Sequence, residues 1–293
     1  MNMDFKSAKE LLALCAENAL PISEVMRRRE CLLGEVEQDA VDRSMAKAWD
    51  IMRASATQPL ETPIKSMGGL IGGEAKNLQA HAAEGKGICG DVLQKAMTYA
   101  MAVLEVNASM GLIVAAPTAG SAGVVPGLLL ALQECYDLPD GRIVEALFNA
   151  GAVGYLAMRN ATVAGAVGGC QAEVGIASAM AASATVELLG GTPQQCLDAA
   201  STVLMNMLGL VCDPVGGLVE YPCQNRNAAG VANALVAAEM ALSGIRQLIP
   251  FDQMLDAMYA VGKRLPAELR ETALGGCAAT PAACAACGLC SGN

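Results

Sequence analysis

From Val106 to Gln133 the chain carries no charged residue. A run of roughly twenty apolar residues can cross a bilayer, so such a stretch belongs either in a membrane or in a protein interior. Its content selects the interior. Pro117, Thr118, Gly120, Ser121, Gly123 and Pro126 fall in its middle, where they break a spanning helix into a buried helix ending near Ala116, a polar glycine loop and a second helix from Val125. The pattern extends further: between Met101 and Pro250 the basic residues are Arg142, Arg159, Arg226 and Arg246, and no lysine lies between Lys95 and Lys263. Helices so poor in basic charge pack against one another. With 54% apolar, 16% charged and 3% aromatic residues, the chain favours closely spaced helices over a β-sandwich, which draws on Val, Ile, Tyr and Trp. The expected fold is all-α, a compact multi-helix bundle with glycine-rich active-site loops.

Three segments are expected. In residues 1–56, Ile22, Val25, Met26, Leu32, Leu33, Val36, Val41 and Met45 fall close to one helical face, opposite Arg27 to Arg29, Glu35, Glu37, Asp39 and Asp42, the pattern of an amphipathic surface helix. Thr57 to Pro63 reads as a connector into a glycine-rich stretch, Met67 to Gly73, and residues 57–276 form the helical body. Within it, Thr192-Pro193-Gln194-Gln195 has the form of a capping box with proline in the first turn. Residues 277–293 are a cysteine-rich tail without charge, holding Cys277, Cys284, Cys287 and Cys290.

A net charge of −10 argues against nucleic acid, whose affinity rests on Lys and Arg. His81 is the single histidine, which excludes a multi-histidine metal site. Twelve cysteines in a chain that opens on charged residues rather than a secretory segment point to a reducing cytoplasm, where cysteine serves as ligand, nucleophile or core filler. Cys15, Cys31, Cys89, Cys135 and Cys196 lie in helical stretches and read as small hydrophobes. Cys170, Cys212 and Cys223 differ, because neighbouring glycines and prolines place them in exposed turns at helix ends. There, backbone N–H groups and the N-terminal dipole favour thiolate or sulfide.

Other groups leave more than one reading open. Cys284-x-x-Cys287-x-x-Cys290 resembles the start of a ferredoxin run; with Cys277 it would hold zinc, or the tail donates one ligand elsewhere. The loop from Ala116 to Gly123, rich in hydroxyls and backbone amides, suits a nest for carboxylate or phosphate, or a plain turn between helices. It lacks the ending of a phosphate-binding P-loop. His81, near Lys76, is a candidate general base or a surface histidine.

Five segments carry a resemblance: residues 66–76 (SMGGLIGGEAK), 115–126 (AAPTAGSAGVVP), 169–175 (GCQAEVG), 212–227 (CDPVGGLVEYPCQNRN) and 269–276 (LRETALGG). Together they resemble the α chain of the bacterial iron–sulfur L-serine dehydratases, and the separations of 42 and 11 residues along Cys170, Cys212 and Cys223 match that family's cluster cysteines. The resemblance implies a lyase that converts L-serine to pyruvate and ammonia on a [4Fe–4S] cluster held by these three residues. Three thiolates leave one iron open as a Lewis acid for the serine hydroxyl and carboxylate, while a base takes the α proton. Pyridoxal phosphate is not expected, since Lys65, Lys76, Lys86, Lys95 and Lys263 offer no recognisable Schiff-base setting. Thr118, Gly120, Ser121, Asn225 and Asn227 are the expected substrate-binding residues, and Lys76 and His81 the candidate bases. Cys290, nearest the free end, is the tail cysteine expected to cap the open iron. The resemblance also implies a hetero-oligomer with an ACT-containing β chain, and no membrane. Two alternatives share the metal ligands: a cysteine desulfhydrase on a similar scaffold, and a non-enzymatic, metal-stabilised interaction subunit.

Overall fold

Small side chains set the spacing of the helices in this fold. The computed structural model describes residues 3–287, and the helices follow in the order α1 (Ala8–Asn18), α2 (Ile22–Gly34), α3 (Gln38–Glu61), α4 (Glu74–Ala83), α5 (Gly90–Ala108), α6 (Val124–Tyr136), α7 (Asp140–Asn160), α8 (Gly165–Gly168), α9 (Cys170–Leu188), α10 (Pro193–Asn206), α11 (Cys223–Leu242), α12 (Phe251–Arg264) and α13 (Pro281–Cys287). Among the described residues there is no β-strand, and an isolated parallel bridge joins Cys212 to Arg270. The all-α expectation holds. No helix of the described residues is long and apolar enough to cross a membrane.

The centre is α9, in which every residue except Glu173 and Glu187 is buried. A helix apolar on all sides belongs in an interior, and α7, α10, α11 and α6 pack around it. A second layer forms where α5 meets α6, α11, α3 and α4. Where α6 crosses α5, a Cβ at Gly127 would stand 2.8 Å from the Ala100 nitrogen, so this approach requires glycine. The N-terminal helices join the same core through Phe5, Leu11, Ile22, Val25 and Trp49. Their seat on the body is polar as well as apolar: the Asp252 carboxylate of α12 accepts the N–H groups of Ala8 (2.7 Å) and Lys9 (3.1 Å) at the start of α1.

Four local expectations are corrected. The amphipathic run from Ile22 to Met45 is two helices, because Glu35 adopts a left-handed conformation (φ 50°) and the Val36 N–H bonds back to the Cys31 carbonyl; Leu32, Leu33 and Val36 are exposed. The connector expected from Thr57 begins as helix, since α3 runs to Glu61 with Pro59 in its last turn, where proline removes one hydrogen bond without ending the helix. The helix expected to reach Ala116 stops at Ala108. Met110 turns left-handed (φ 64°), and the N–H groups of Gly111 and Met110 return to the Val106 and Asn107 carbonyls at 2.9 and 3.1 Å, the Schellman pattern of a helix end. Cys89 caps α5 instead of lying within it and is exposed.

The capping box at α10 is present as expected: Thr192 Oγ1 accepts the Gln195 N–H at 3.3 Å, and Gln195 Oε1 accepts the Thr192 N–H at 2.9 Å. Thr192→Ala is expected to destabilise the chain by about 1 kcal/mol, read as a lower urea midpoint with unchanged slope. An unchanged midpoint would mean that packing against α9 alone fixes this helix start.

Candidate active site

Two helices begin at a cysteine. Cys170 is the first residue of α9 and Cys223 the first of α11, so each thiol sits at the positive end of a helix dipole, which favours negative charge. Cys212 lies in the loop between α10 and α11. The sulfurs of Cys170 and Cys212 and a carboxylate oxygen of Glu173 all lie within 4.8 Å of one another. Cys223 is not in that tight group, and its helix joins it through Arg226, one turn on, which donates toward the Cys170 sulfur at 3.6 Å. All three cysteines are buried, against the expectation of exposed turns, because the helix starts and the loop that carry them face the protein interior.

Hydrogen bonds explain why distant parts of the sequence meet here. The Gln171 side chain donates to the carbonyls of Gly168 (2.9 Å) and Met258 (3.0 Å) and accepts the Gly209 N–H (2.8 Å), while the Gln171 N–H donates to Leu210 (3.0 Å). One residue beside Cys170 thereby fixes the approach to Cys212. The far side of Cys212 is held by residues 269–271: the Cys212 N–H donates to the Leu269 carbonyl (2.9 Å), and the Glu271 N–H to the Cys212 carbonyl (2.6 Å). On α11, Asn227 Nδ2 donates to the carbonyls of Cys223 (2.9 Å) and Gly120 (2.8 Å), and its Oδ1 accepts the Gly123 N–H (3.1 Å). The hydroxyl loop is thus tied to the helix that carries Cys223. Gly165 closes the site from α8, where a Cβ would come 2.9 Å from the Cys212 sulfur.

Burial and the hydrogen bond between Cys170 and Cys212 dominate the electrostatics. The Glu173 carboxyl is raised above the usual carboxylate range by burial and by the charge of Glu271, against the lowering effect of hydrogen bonds from Thr118 and Cys212. Thr118 Oγ1 donates to Glu173 Oε1 at 2.9 Å, and the Cys212 thiol faces Glu173 Oε2 at 3.7 Å. The hydrogen bond with Cys170, then burial, push the Cys212 thiol far up, and burial pushes Cys223 up to about 12. Arg226 brings a positive charge to the site. It pairs with Asp213 at 2.6 Å and donates toward the Cys170 sulfur at 3.6 Å.

The other expected site residues fall into two groups. Thr118 and Gly120 border Glu173, and Ser121 is fully buried, its hydroxyl 3.0 Å from that of Thr118. Asn225 is exposed on the first turn of α11. Lys76 and His81 stand exposed on α4, where Lys76 Nζ donates to the Glu61 carbonyl at 3.1 Å. Neither side chain is hydrogen-bonded to the cysteine loops among the described residues. Cys290 lies outside the described residues. Among the described residues Cys277, Cys284 and Cys287 form no group that could hold a metal ion, and the tail approaches the site through Cys277, whose N–H donates to Asp213 Oδ2 at 2.6 Å.

Sequence reasoning missed Glu173, Asp213 and Arg226. Their signal was present: Glu173 follows Cys170 by three residues, one helical turn, Arg226 follows Cys223 by the same interval, and Asp213 adjoins Cys212.

Comparison with known proteins adds to this geometry. Residues 17–290 match a family described as serine dehydratase alpha chain. The chain is 48% identical over 277 residues to the probable L-serine dehydratase, alpha chain, of Bacillus subtilis, an alignment covering 94% of this chain and 92% of the relative. It is 45% identical over 272 residues to the L-serine dehydratase, alpha chain, of Peptoniphilus asaccharolyticus, covering 93% of each. It is also 37% identical over 286 residues to an L-serine dehydratase of Helicobacter pylori, covering 94% of this chain and 62% of that longer one.

Because thiols held protonated must lose protons to bind metal, Co²⁺ titration of the metal-free chain should give thiolate charge-transfer absorption whose apparent affinity rises with pH. Cys170→Ala and Cys212→Ala should each abolish that absorption. Binding that is flat in pH, or that survives both substitutions, would place the metal elsewhere.

Proposed function

This chain belongs to the serine dehydratase alpha-chain family, and from that premise we propose how its residues carry an L-serine dehydratase reaction, the lyase conversion of L-serine to pyruvate and ammonia. The observation that carries the reading is the meeting of Cys170, Cys212 and Glu173 within 4.8 Å of one another, with Cys223 at the start of the helix whose Arg226, one turn on, reaches the Cys170 sulfur at 3.6 Å. The donor set fits a [4Fe–4S] cluster. It offers three soft thiols, two of them at helix N-termini, with a glycine where a Cβ would crowd the Cys212 sulfur. Cys170, Cys212 and Cys223 would hold the cluster as thiolates. When bound, the cluster supplies Lewis acidity at an iron without a protein thiolate, so that hydroxide, a poor leaving group, can depart. Pyridoxal phosphate has no part in this reading.

The chain's own residues supply the rest. Glu173, oriented by Thr118, is the proposed acceptor of the serine α proton; Lys76 and His81 are more distant proposals, because both stand on α4 in solvent. Thr118, Gly120, Ser121, Asn225 and Asn227 are proposed to surround the substrate's carboxylate and amine. Ser121 and Asn227 act mainly by shaping the loop, given that Asn227 spends both ends of its amide on protein partners. Loss of proton and hydroxide leaves aminoacrylate, which tautomerises and hydrolyses to the two products. In the resting protein Cys290 is the proposed capping thiol of the tail.

The wider organisation is also proposed. Residues 1–56 form a helical cover, 57–276 the catalytic and cluster-binding body and 277–293 the tail. A separate ACT-containing β chain completes a hetero-oligomer in the cytoplasm. Two findings support a partner: the family description is that of an alpha chain, and longer relatives continue beyond the part that aligns, which is 62% of their length.

Anaerobically reconstituted chain, assayed with and without a β chain, should release pyruvate from L-serine, lose that activity in air and regain it with ferrous iron and a thiol. Sulfide from L-cysteine as the main product would favour a desulfhydrase. Bound metal without turnover in either preparation would favour an interaction subunit, and air-stable activity restored by pyridoxal phosphate would contradict the cluster. A hydrogen bond to a charged group contributes about 1.5–3 kcal/mol, so Thr118→Val should lower kcat/KM roughly ten- to a hundredfold with the cluster spectrum intact. Unchanged kinetics would remove Thr118 from the mechanism.

A further inference from the structure

Asp213 and Arg226 form an ion pair at 2.6 Å with side chains 2% and 15% exposed. Taking two opposite charges out of water is often no better than burying an apolar pair of the same shape, so a buried pair of this kind calls for further contacts at both ends. Both ends have them. Arg226 Nη1 donates toward the Cys170 sulfur at 3.6 Å and to the Val211 carbonyl at 3.0 Å. Asp213 Oδ2 accepts the Cys277 N–H at 2.6 Å. Just before it, Gly276 is in the left-handed region (φ 59°), and a Cβ there would run into Asp213 Oδ2. The start of the tail is therefore shaped to this one carboxylate.

The chain of contacts runs from a sulfur on α9, through a guanidinium on α11 and a carboxylate in the loop between α10 and α11, to the backbone of the tail. We propose that the Asp213–Arg226 pair is a positioning device that seats the Cys170 sulfur and the base of the cysteine-rich tail in one frame, so that a change at either end is felt at the other. The significance for catalysis rests on the reading of Cys170 as a cluster ligand; the mechanical link does not. Arg226 acts through Cys170 and makes no claim on the substrate. An N–H···S contact to a ligating sulfur favours the more negative, reduced cluster and so raises its potential.

The test compares wild type with Arg226→Gln, Arg226→Lys and Gly276→Ala in the full chain, with far-UV circular dichroism to confirm folding. In metal-free protein, amide exchange is followed at Cys277. Arg226 makes no hydrogen bond to the tail among the described residues, although its charge reaches Cys277; Arg226→Gln should speed exchange at Cys277 about tenfold, a factor in the range of one charge-assisted hydrogen bond, and Arg226→Lys, which keeps the charge, should recover part of the protection. In reconstituted protein, the cluster midpoint potential should fall in Arg226→Gln, and also in Gly276→Ala, which meets Asp213 and not Cys170. Wild-type exchange at Cys277 in folded Arg226→Gln would overturn the link. So would a Gly276→Ala chain with altered exchange and an unchanged potential, because the two contacts would then be independent. Failure of wild-type chain to take up iron and sulfide would sink the cluster reading separately, and the exchange measurement would still decide the link.

Discussion

The burial of α9 on every side governs the site. A helix that lies on a surface can leave its first N–H groups to water, but one surrounded by α6, α7, α10 and α11 must bring its N-terminus to partners inside the protein. The interior start of α9 is therefore where the chain gathers acceptors and negative charge. The Leu210 carbonyl takes one N–H, from Gln171, and Cys170 is placed at the positive end of the dipole. The loops that supply these partners carry Cys212. The convergence of two cysteines far apart in sequence is thus a consequence of satisfying one buried helix end.

Acid–base character at the site comes from the same burial. Glu173 is one turn along from Cys170 and shares its enclosure, which raises its carboxyl and the Cys223 thiol, while the hydrogen bond with Cys170, then burial, raises Cys212. A cluster of groups that all resist ionisation is poorly balanced by itself. Arg226 supplies the nearby positive charge, and a multivalent metal centre on the thiols would supply more. The arrangement is physically consistent with a site that is completed by binding metal.

Much of this was legible in the sequence, and the rest was hidden for identifiable reasons. The charge-free stretch around Pro117 and the turns around Cys170, Cys212 and Cys223 were readable because glycine and proline mark where helices break. Thr192 and Gln195 were readable because a capping box is local. The early end of α5 was not, because Met110 adopts a left-handed conformation that glycine usually takes, and the break at Glu35 was hidden in the same way. Glu173, Asp213 and Arg226 lay inside the quoted motifs, but their roles depend on contacts across four separate segments. In sequence Gln171 looks like an ordinary polar residue and Asn227 like a substrate contact; only folding shows that their amides tie Cys212 and the Thr118 loop to the helices that begin at cysteine.

The most direct measurement is iron and acid-labile sulfide per chain after anaerobic reconstitution, compared across cysteine variants that retain their helical circular dichroism. If Cys170, Cys212 and Cys223 hold one cluster, wild type should take up iron and sulfide in equal amounts. Loading should collapse in Cys170→Ala, Cys212→Ala and Cys223→Ala alike, while the Cys284→Ala, Cys287→Ala double variant should load as wild type does. Full loading in any of the three single variants, or loss of the cluster in the tail variant, would contradict the assignment.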